Sequence, residues 1–146
     1  MFLRRAAVVL VLALFLLPGI AHAKAQLVHS ADVPREFKGQ FKWRDGKITY
    51  SLVLKIDRIE EKGRIVRFFG SHLYTPGDYK MSVEGTIDSK TYRISIREFD
   101  PSRPDSETDG SFEGKISTDF QRIEAVWTTR TTGKKGDLKV EAEKEK

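Results

Sequence analysis

The sequence predicts an all-β domain, an eight-stranded antiparallel meander closed into an up-and-down barrel. Apolar and polar residues alternate with a period of two along eight segments, most of these segments are joined by short turns, and no segment after residue 35 has helical periodicity. Short connections make sequence neighbours pair in space, and closing a meander removes its two unpaired edges. A β-sandwich is the alternative, since short turns also join the strands of sandwiches.

Residues 1–23 have the three parts of a secretory signal peptide: a basic start, an uncharged apolar run at 6–17 and an Ala-His-Ala cleavage site at 21–23. The apolar run is shorter than the roughly 20 residues of a membrane-spanning helix. We therefore expect contact with a membrane only through the signal peptide before cleavage. Residues 24–35 lack periodicity and are expected to form an N-terminal leader segment, followed by a single barrel domain at 36–143 and a charged tail at 144–146.

The composition narrows the class of protein. The chain has no cysteine, so it has no disulfide, and small extracellular eukaryotic domains usually have them. With the signal peptide, this favours a bacterial exported protein, periplasmic or extracellular. Removal of residues 1–23 leaves 24 basic and 21 acidic residues, interspersed along the chain. An exported chain without a recognisable binding motif is not expected to bind nucleic acid.

The clearest β pattern lies at residues 78–99, where two alternating runs flank the polar turn 88–91 and predict a hairpin. Tyr92, Ile94, Ile96 and Glu98 share the inner face of the second run. Asp45-Gly46 predicts a second hairpin between the segments 36–44 and 47–57, with a two-residue turn of positive φ. In that register Trp43 pairs with Ile48, on the inner face.

The segment 64–74 carries apolar residues on both faces, so the pattern leaves its orientation open. Residues 100–110 predict a long polar loop, and the remaining strands follow at 111–116, 122–130 and up to residue 142. Gly39, Gly85 and Gly114 occupy inward strand positions, where glycine often marks the bend of a barrel.

The predicted inner face suggests a candidate ligand site. Inward aromatic residues either fill the core or line a cavity, and an eight-stranded barrel has the size at which both outcomes occur. Glu98 is a carboxylate on a core face, so it needs a polar partner or a ligand. The candidate walls are Trp43, Tyr50, Tyr92 and Trp127, with Glu98 as the polar anchor near the barrel mouth.

The chain is not expected to be an enzyme, and no catalytic residue, cofactor or metal is predicted. The mature chain keeps only His29 and His72 and has no cysteine, too few ligands for an ordinary zinc site. Nucleotide-binding and nucleophile-elbow motifs are absent. The acidic stretch 105–110 departs from a calcium loop at two ligand positions. Convergence of Glu98 and His72 within a cleft would revive the interpretation of an enzyme.

The meander with Gly39-Gln40-Phe41-Lys42-Trp43 on its first strand resembles the calycins, the lipocalin and avidin-type barrels, and similar small exported bacterial proteins. The tryptophan stands two positions later than in the lipocalin G-x-W motif. The resemblance implies a lipocalin-like barrel with an internal ligand pocket. The expected function is therefore binding of a small apolar ligand. The alternative is a protein-interaction or inhibitor module that contacts an envelope protein through loops or the strand 64–74.

Overall fold

The computed structural model describes residues 30–103 and 105–144. The predicted signal peptide, the first six residues of the leader segment and the last two residues lie outside the described residues. The described part begins with a 3₁₀ turn at Ser30–Asp32. No helix in this part of the chain is long and apolar enough to cross a membrane.

Eight strands follow, each antiparallel to the next, and β8 pairs with β1 to close the barrel. The predicted all-β meander barrel is thus confirmed, and the sandwich alternative is wrong. The strands are β1 (Glu36–Trp43), β2 (Thr49–Lys62), β3 (Ile65–Thr75), β4 (Tyr79–Asp88), β5 (Arg93–Phe99), β6 (Ser111–Ile116), β7 (Arg122–Thr128) and β8 (Lys135–Ala142). We call the end of the barrel at which β1 ends and β2 begins the upper end, and the opposite end the lower end.

The first hairpin keeps the predicted register but not the predicted turn. Phe41 pairs with Tyr50, as expected, yet neither Asp45 nor Gly46 has a positive φ. The Arg44 N–H donates to the carbonyl of Lys135 on β8, and the Arg44 guanidinium binds Asp137 of β8 at 2.8 Å. The chain therefore follows β8 beyond Trp43, and Ile48, expected inside, is exposed.

The orientation of β3, which the sequence left open, is settled by its burial pattern. Val66, Phe68, His72 and Tyr74 are buried inside the barrel. On the outer face, the ring of Phe69 is covered by the guanidinium of Arg58 at 4.0 Å and that of Arg67 at 4.9 Å. These cation–π contacts explain how an apolar residue is accommodated on the solvent side. Both edges of β3 are paired, with β2 and with β4.

Close packing fills the middle and the lower end of the barrel. Phe37, Phe68 and Ile87 are completely buried, and Val33 of the leader segment joins the same core. At Gly85 a Cβ atom would lie 2.0 Å from Cζ of Phe68. The absence of a side chain at this position therefore makes room for a core ring.

Candidate functional site

The upper end holds a cavity of about 340 Å³. Strand alternation directs the last inward residues of several strands to this end, and the loop between β5 and β6 supplies Thr108 and Asp109 to its lining. The loop is held over the barrel because the Thr108 N–H donates to the carbonyl of Glu98 at 2.9 Å. The cavity is thus a mouth site rather than a tunnel through the barrel.

Aromatic rings form most of the cavity wall. They pack mainly edge to face, with ring centroids 5.2 Å apart for Phe41 and Trp43 and 4.9 Å apart for Phe112 and Trp127. Tyr74 and Tyr79 stack at 4.7 Å. Such contacts stabilise the rings beyond their buried area, so the wall is preorganised. The lining aromatic residues are Phe41, Trp43, Tyr74, Tyr79, Phe112 and Trp127.

Glu98 lies in this wall and is only 6% exposed. Its Oε1 atom accepts a hydrogen bond from the Tyr74 hydroxyl and lies 2.6 Å from Nδ1 of His72. Both contacts therefore engage the same carboxylate oxygen. The other oxygen, Oε2, has no hydrogen bond to a described residue and is not among the fully buried unpartnered atoms. Oε2 therefore remains accessible from the cavity.

His72 supports Glu98 from behind the wall. The ring is completely buried, contacts the rings of Tyr74 and Phe112 edge to face at 5.8 and 5.5 Å, and does not line the cavity. Its Nε2 atom has no hydrogen-bond partner among the described residues. A protonated Nε2 would be a buried charged donor without a partner, which is costly. The geometry thus favours a neutral ring that donates from Nδ1 to Oε1.

The two tyrosine hydroxyls at the site remain protonated at neutral pH. Burial raises the pKa of Tyr74 well above its usual range, and the Glu98 carboxylate raises this pKa further. Burial also raises the pKa of Tyr79, with smaller contributions from Tyr50 and Glu98. Tyr74 is therefore a neutral donor to Glu98 and adds no charge to the cavity.

The structure brings together three of the five residues that the sequence suggested for the site: Trp43, Glu98 and Trp127 line the cavity. Tyr50 packs behind the wall, 6.2 Å from Tyr74, and is not part of the lining. Tyr92 lies at the lower end, with its ring 5.8 Å from that of Phe120. It has a φ of 56°, precedes β5 and packs against the core as a partly buried residue. Its position at the lower end, rather than its face, keeps it out of the cavity.

Sequence reasoning missed Tyr74 as a member of the site, and it named His72 only as a group that could converge with Glu98. Both belong to β3, whose two apolar faces hid its orientation. They are two residues apart and therefore lie on one face of the strand. The imidazole and the hydroxyl on that face were the sequence signal that could have identified partners for the Glu98 carboxylate. Within the described ranges, no group of three or more histidine, cysteine or acidic residues is arranged to hold a metal ion.

Comparison of the chain with protein-family models, with curated proteins and with solved structures found no match. The geometry of the upper end is therefore the basis for a functional assignment.

Proposed function

We propose that this protein is an exported, non-catalytic barrel of the calycin type that binds one small, largely apolar ligand at its upper end. The observation that carries the proposal is the aromatic cavity of about 340 Å³ with Glu98 in its wall, whose Oε2 has no hydrogen bond to a described residue and is not fully buried. Small-molecule sites are typically concave and apolar, with a few polar groups that orient the ligand. Glu98 is the polar anchor, and Trp43 and Trp127 are walls.

Burial of a carboxylate is the second argument for a binding role. An ionised side chain at 6% exposure is costly unless hydrogen bonds or a ligand compensate it. Tyr74 and His72 compensate only Oε1. A ligand that donates a hydrogen bond to Oε2 would compensate the second carboxylate oxygen, so binding of such a ligand would be favourable.

A protein-interaction module is less well supported. Strand addition to a partner requires a free sheet edge, and both edges of β3 are paired in the closed barrel. The exposed part of Phe69 is covered by Arg58 and Arg67. The loops remain available for such contacts, but the cavity offers the more specific feature.

Catalysis is the second candidate function, because His72 and Glu98 do converge, at 2.6 Å. Glu98 lines the cavity and His72 stands behind it, an arrangement that can orient a general base. The described lining holds no serine, cysteine or lysine. Its two threonine hydroxyls are engaged elsewhere, that of Thr108 with the Glu98 carbonyl and that of Thr129 with Trp127 Nε1, so neither is paired with a general base. This favours binding without turnover.

The test is native mass spectrometry of the protein purified from its own host, in three forms. Thr129 lines the cavity and accepts a hydrogen bond from Trp127 Nε1 at 3.2 Å. Thr129→Phe adds bulk to the cavity, whereas the matched control Thr129→Val replaces the hydroxyl by a methyl group of similar size. We expect a reproducible small molecule on the wild type and on Thr129→Val, and its loss from Thr129→Phe.

A folded Thr129→Phe variant that keeps the same molecule would place the ligand elsewhere and overturn the proposal. If Thr129→Phe does not fold, Met81→Phe fills the same cavity from β4 and replaces it. Incubation of the purified complex separates the two functions. An unchanged ligand mass supports binding, and a converted mass supports catalysis.

A further inference from the structure

We infer that the ligand of the upper cavity is a small organic cation, an amine or quaternary ammonium compound that also carries an apolar group. This inference rests on the proposed function, because it names the ligand class of the same cavity. It depends on the charge of the lining, on the accessible oxygen of Glu98 and on the aromatic faces.

The charged side chains that line the cavity are all acidic. The described side chains of the cavity include two carboxylates, Glu98 and Asp109, and no lysine, arginine or histidine. Asp109 lies at the rim, where Arg130 approaches it at 3.9 Å and the Thr131 hydroxyl donates to it, so its charge is partly compensated. Among the described residues, the Glu98 carboxylate is compensated by the hydroxyl of Tyr74 and by His72 alone.

The net charge of the pair formed by Glu98 and His72 depends on the protonation of His72, whose Nε2 is fully buried without a described partner. A neutral ring avoids an unpartnered buried N–H, and its Nδ1 still donates to Oε1. The cluster of Glu98, His72 and Tyr74 then carries one net negative charge. Because Oε2 is the accessible atom, this charge is presented to the cavity.

The walls suit an organic cation better than an inorganic one. The faces of tryptophan and tyrosine rings are electron-rich and attract ammonium groups, and Trp43, Tyr79 and Trp127 all belong to the lining. A metal ion would need several oxygen or nitrogen ligands, and no such group occurs within the described residues. An anionic ligand would be repelled, and a purely apolar one would bury Oε2 without a partner.

The test compares benzyltrimethylammonium with neopentylbenzene, which has the same shape but carries carbon in place of the charged nitrogen. Both tryptophans of the chain line the cavity, so quenching of intrinsic fluorescence reports its occupancy directly. We expect the cation to bind at least about tenfold more tightly than the neutral compound, because it alone gains the charge and cation–π interactions.

Two variants assign the preference to its source. Glu98→Gln keeps the shape of the anchor and removes its charge, so the preference for the cation should fall to about threefold or less. The matched control is Glu113→Gln, which removes the same charge from the exposed outer face of β6, where Glu113 binds Ser95. This variant should keep the preference of the wild type.

Equal or tighter binding of neopentylbenzene to the wild type would overturn the inference of a cation. If Thr129→Phe then abolished the binding of neopentylbenzene, the upper cavity would still be the binding site, and the proposed function would stand. If Glu113→Gln and Glu98→Gln lost the preference for the cation equally, the preference would come from the net charge of the protein rather than from Glu98. That result would also overturn the inference. If neither probe quenches the fluorescence saturably, the inference of a cation is overturned as well. The proposed function is then decided separately, by the ligand that copurifies from the host. If Glu98→Gln fails to fold, the two probes on the wild type decide the ligand class.

Discussion

Nδ1 of His72 lies 2.6 Å from Oε1 of Glu98, across 26 residues of chain. His72 belongs to β3 and Glu98 to β5, and β4 stands between these strands in the sheet. The Tyr74 hydroxyl, also from β3, donates to the same oxygen. One carboxylate oxygen therefore links two non-adjacent strands inside the upper end, and it holds the anchor of the proposed site in one position.

Loss of the Tyr74 hydroxyl should destabilise the barrel. Tyr74→Phe keeps the ring and removes a donor from a buried carboxylate, which we expect to lower the free energy of unfolding by about 1–3 kcal/mol. Tyr79→Phe is the matched control, because the stacked Tyr79 is 43% exposed and should change stability by about 0.5 kcal/mol or less. Urea unfolding measures both, and equal losses would contradict a role for the Tyr74–Glu98 bond.

Stability should fall at alkaline pH, partly through Tyr74. Burial and the Glu98 carboxylate raise its pKa in the folded protein well above the ordinary tyrosine value of 10.0, so the folded state retains a proton that the unfolded state releases. The contribution is therefore fully present below about pH 10, the unfolded value, and is lost as the pH rises toward the folded pKa. The stability difference between wild type and Tyr74→Phe, followed by urea unfolding from pH 9 upward, should decrease. A difference independent of pH would contradict the raised pKa.

Gly85→Ala should be destabilising because its Cβ would meet the ring of Phe68, 2.0 Å from Cζ. Overpacking of this kind costs about 1–3 kcal/mol of unfolding free energy. The clash is specific to the ring, so Phe68→Leu should relieve part of it. A double-mutant cycle measured by urea unfolding is expected to show a coupling of at least about 0.5 kcal/mol. Strict additivity would mean that the Phe68 ring is not the source of the destabilisation.

The leader segment should contribute to stability through Val33, which is 3% exposed within the core. Val33→Ala removes two buried carbon atoms and should lower the free energy of unfolding by about 1–2 kcal/mol. Ala31→Ser, at an exposed position of the same 3₁₀ turn, should change it by about 0.5 kcal/mol or less. If thermal or urea unfolding finds Val33→Ala neutral, this residue does not pack on the barrel in solution.

Part of the site followed from the sequence because alternation along one strand is a local property. The inner positions of Trp43, Glu98 and Trp127 needed only period-two counting within their own strands. The same counting placed Tyr92 on the inner side, where it packs against the core. Alternation does not say at which end of the barrel a residue lies, and Tyr92 precedes β5 at the lower end, beside Phe120. The exposed position of Ile48 was also missed, because it depends on the contact of Arg44 with Asp137 of a strand distant in sequence.

The sequence by itself determined the eight strands, their antiparallel order and the inward position of Glu98, because side-chain alternation and short turns act between residues close in the chain. Only the tertiary structure decided the orientation of β3 and the meeting of His72, Tyr74 and Glu98. The physical reason is barrel closure. Closure curves the sheet until inward residues of non-adjacent strands come into contact. It also buries the apolar residues on one face of β3 in the core and leaves those on the other face toward solvent.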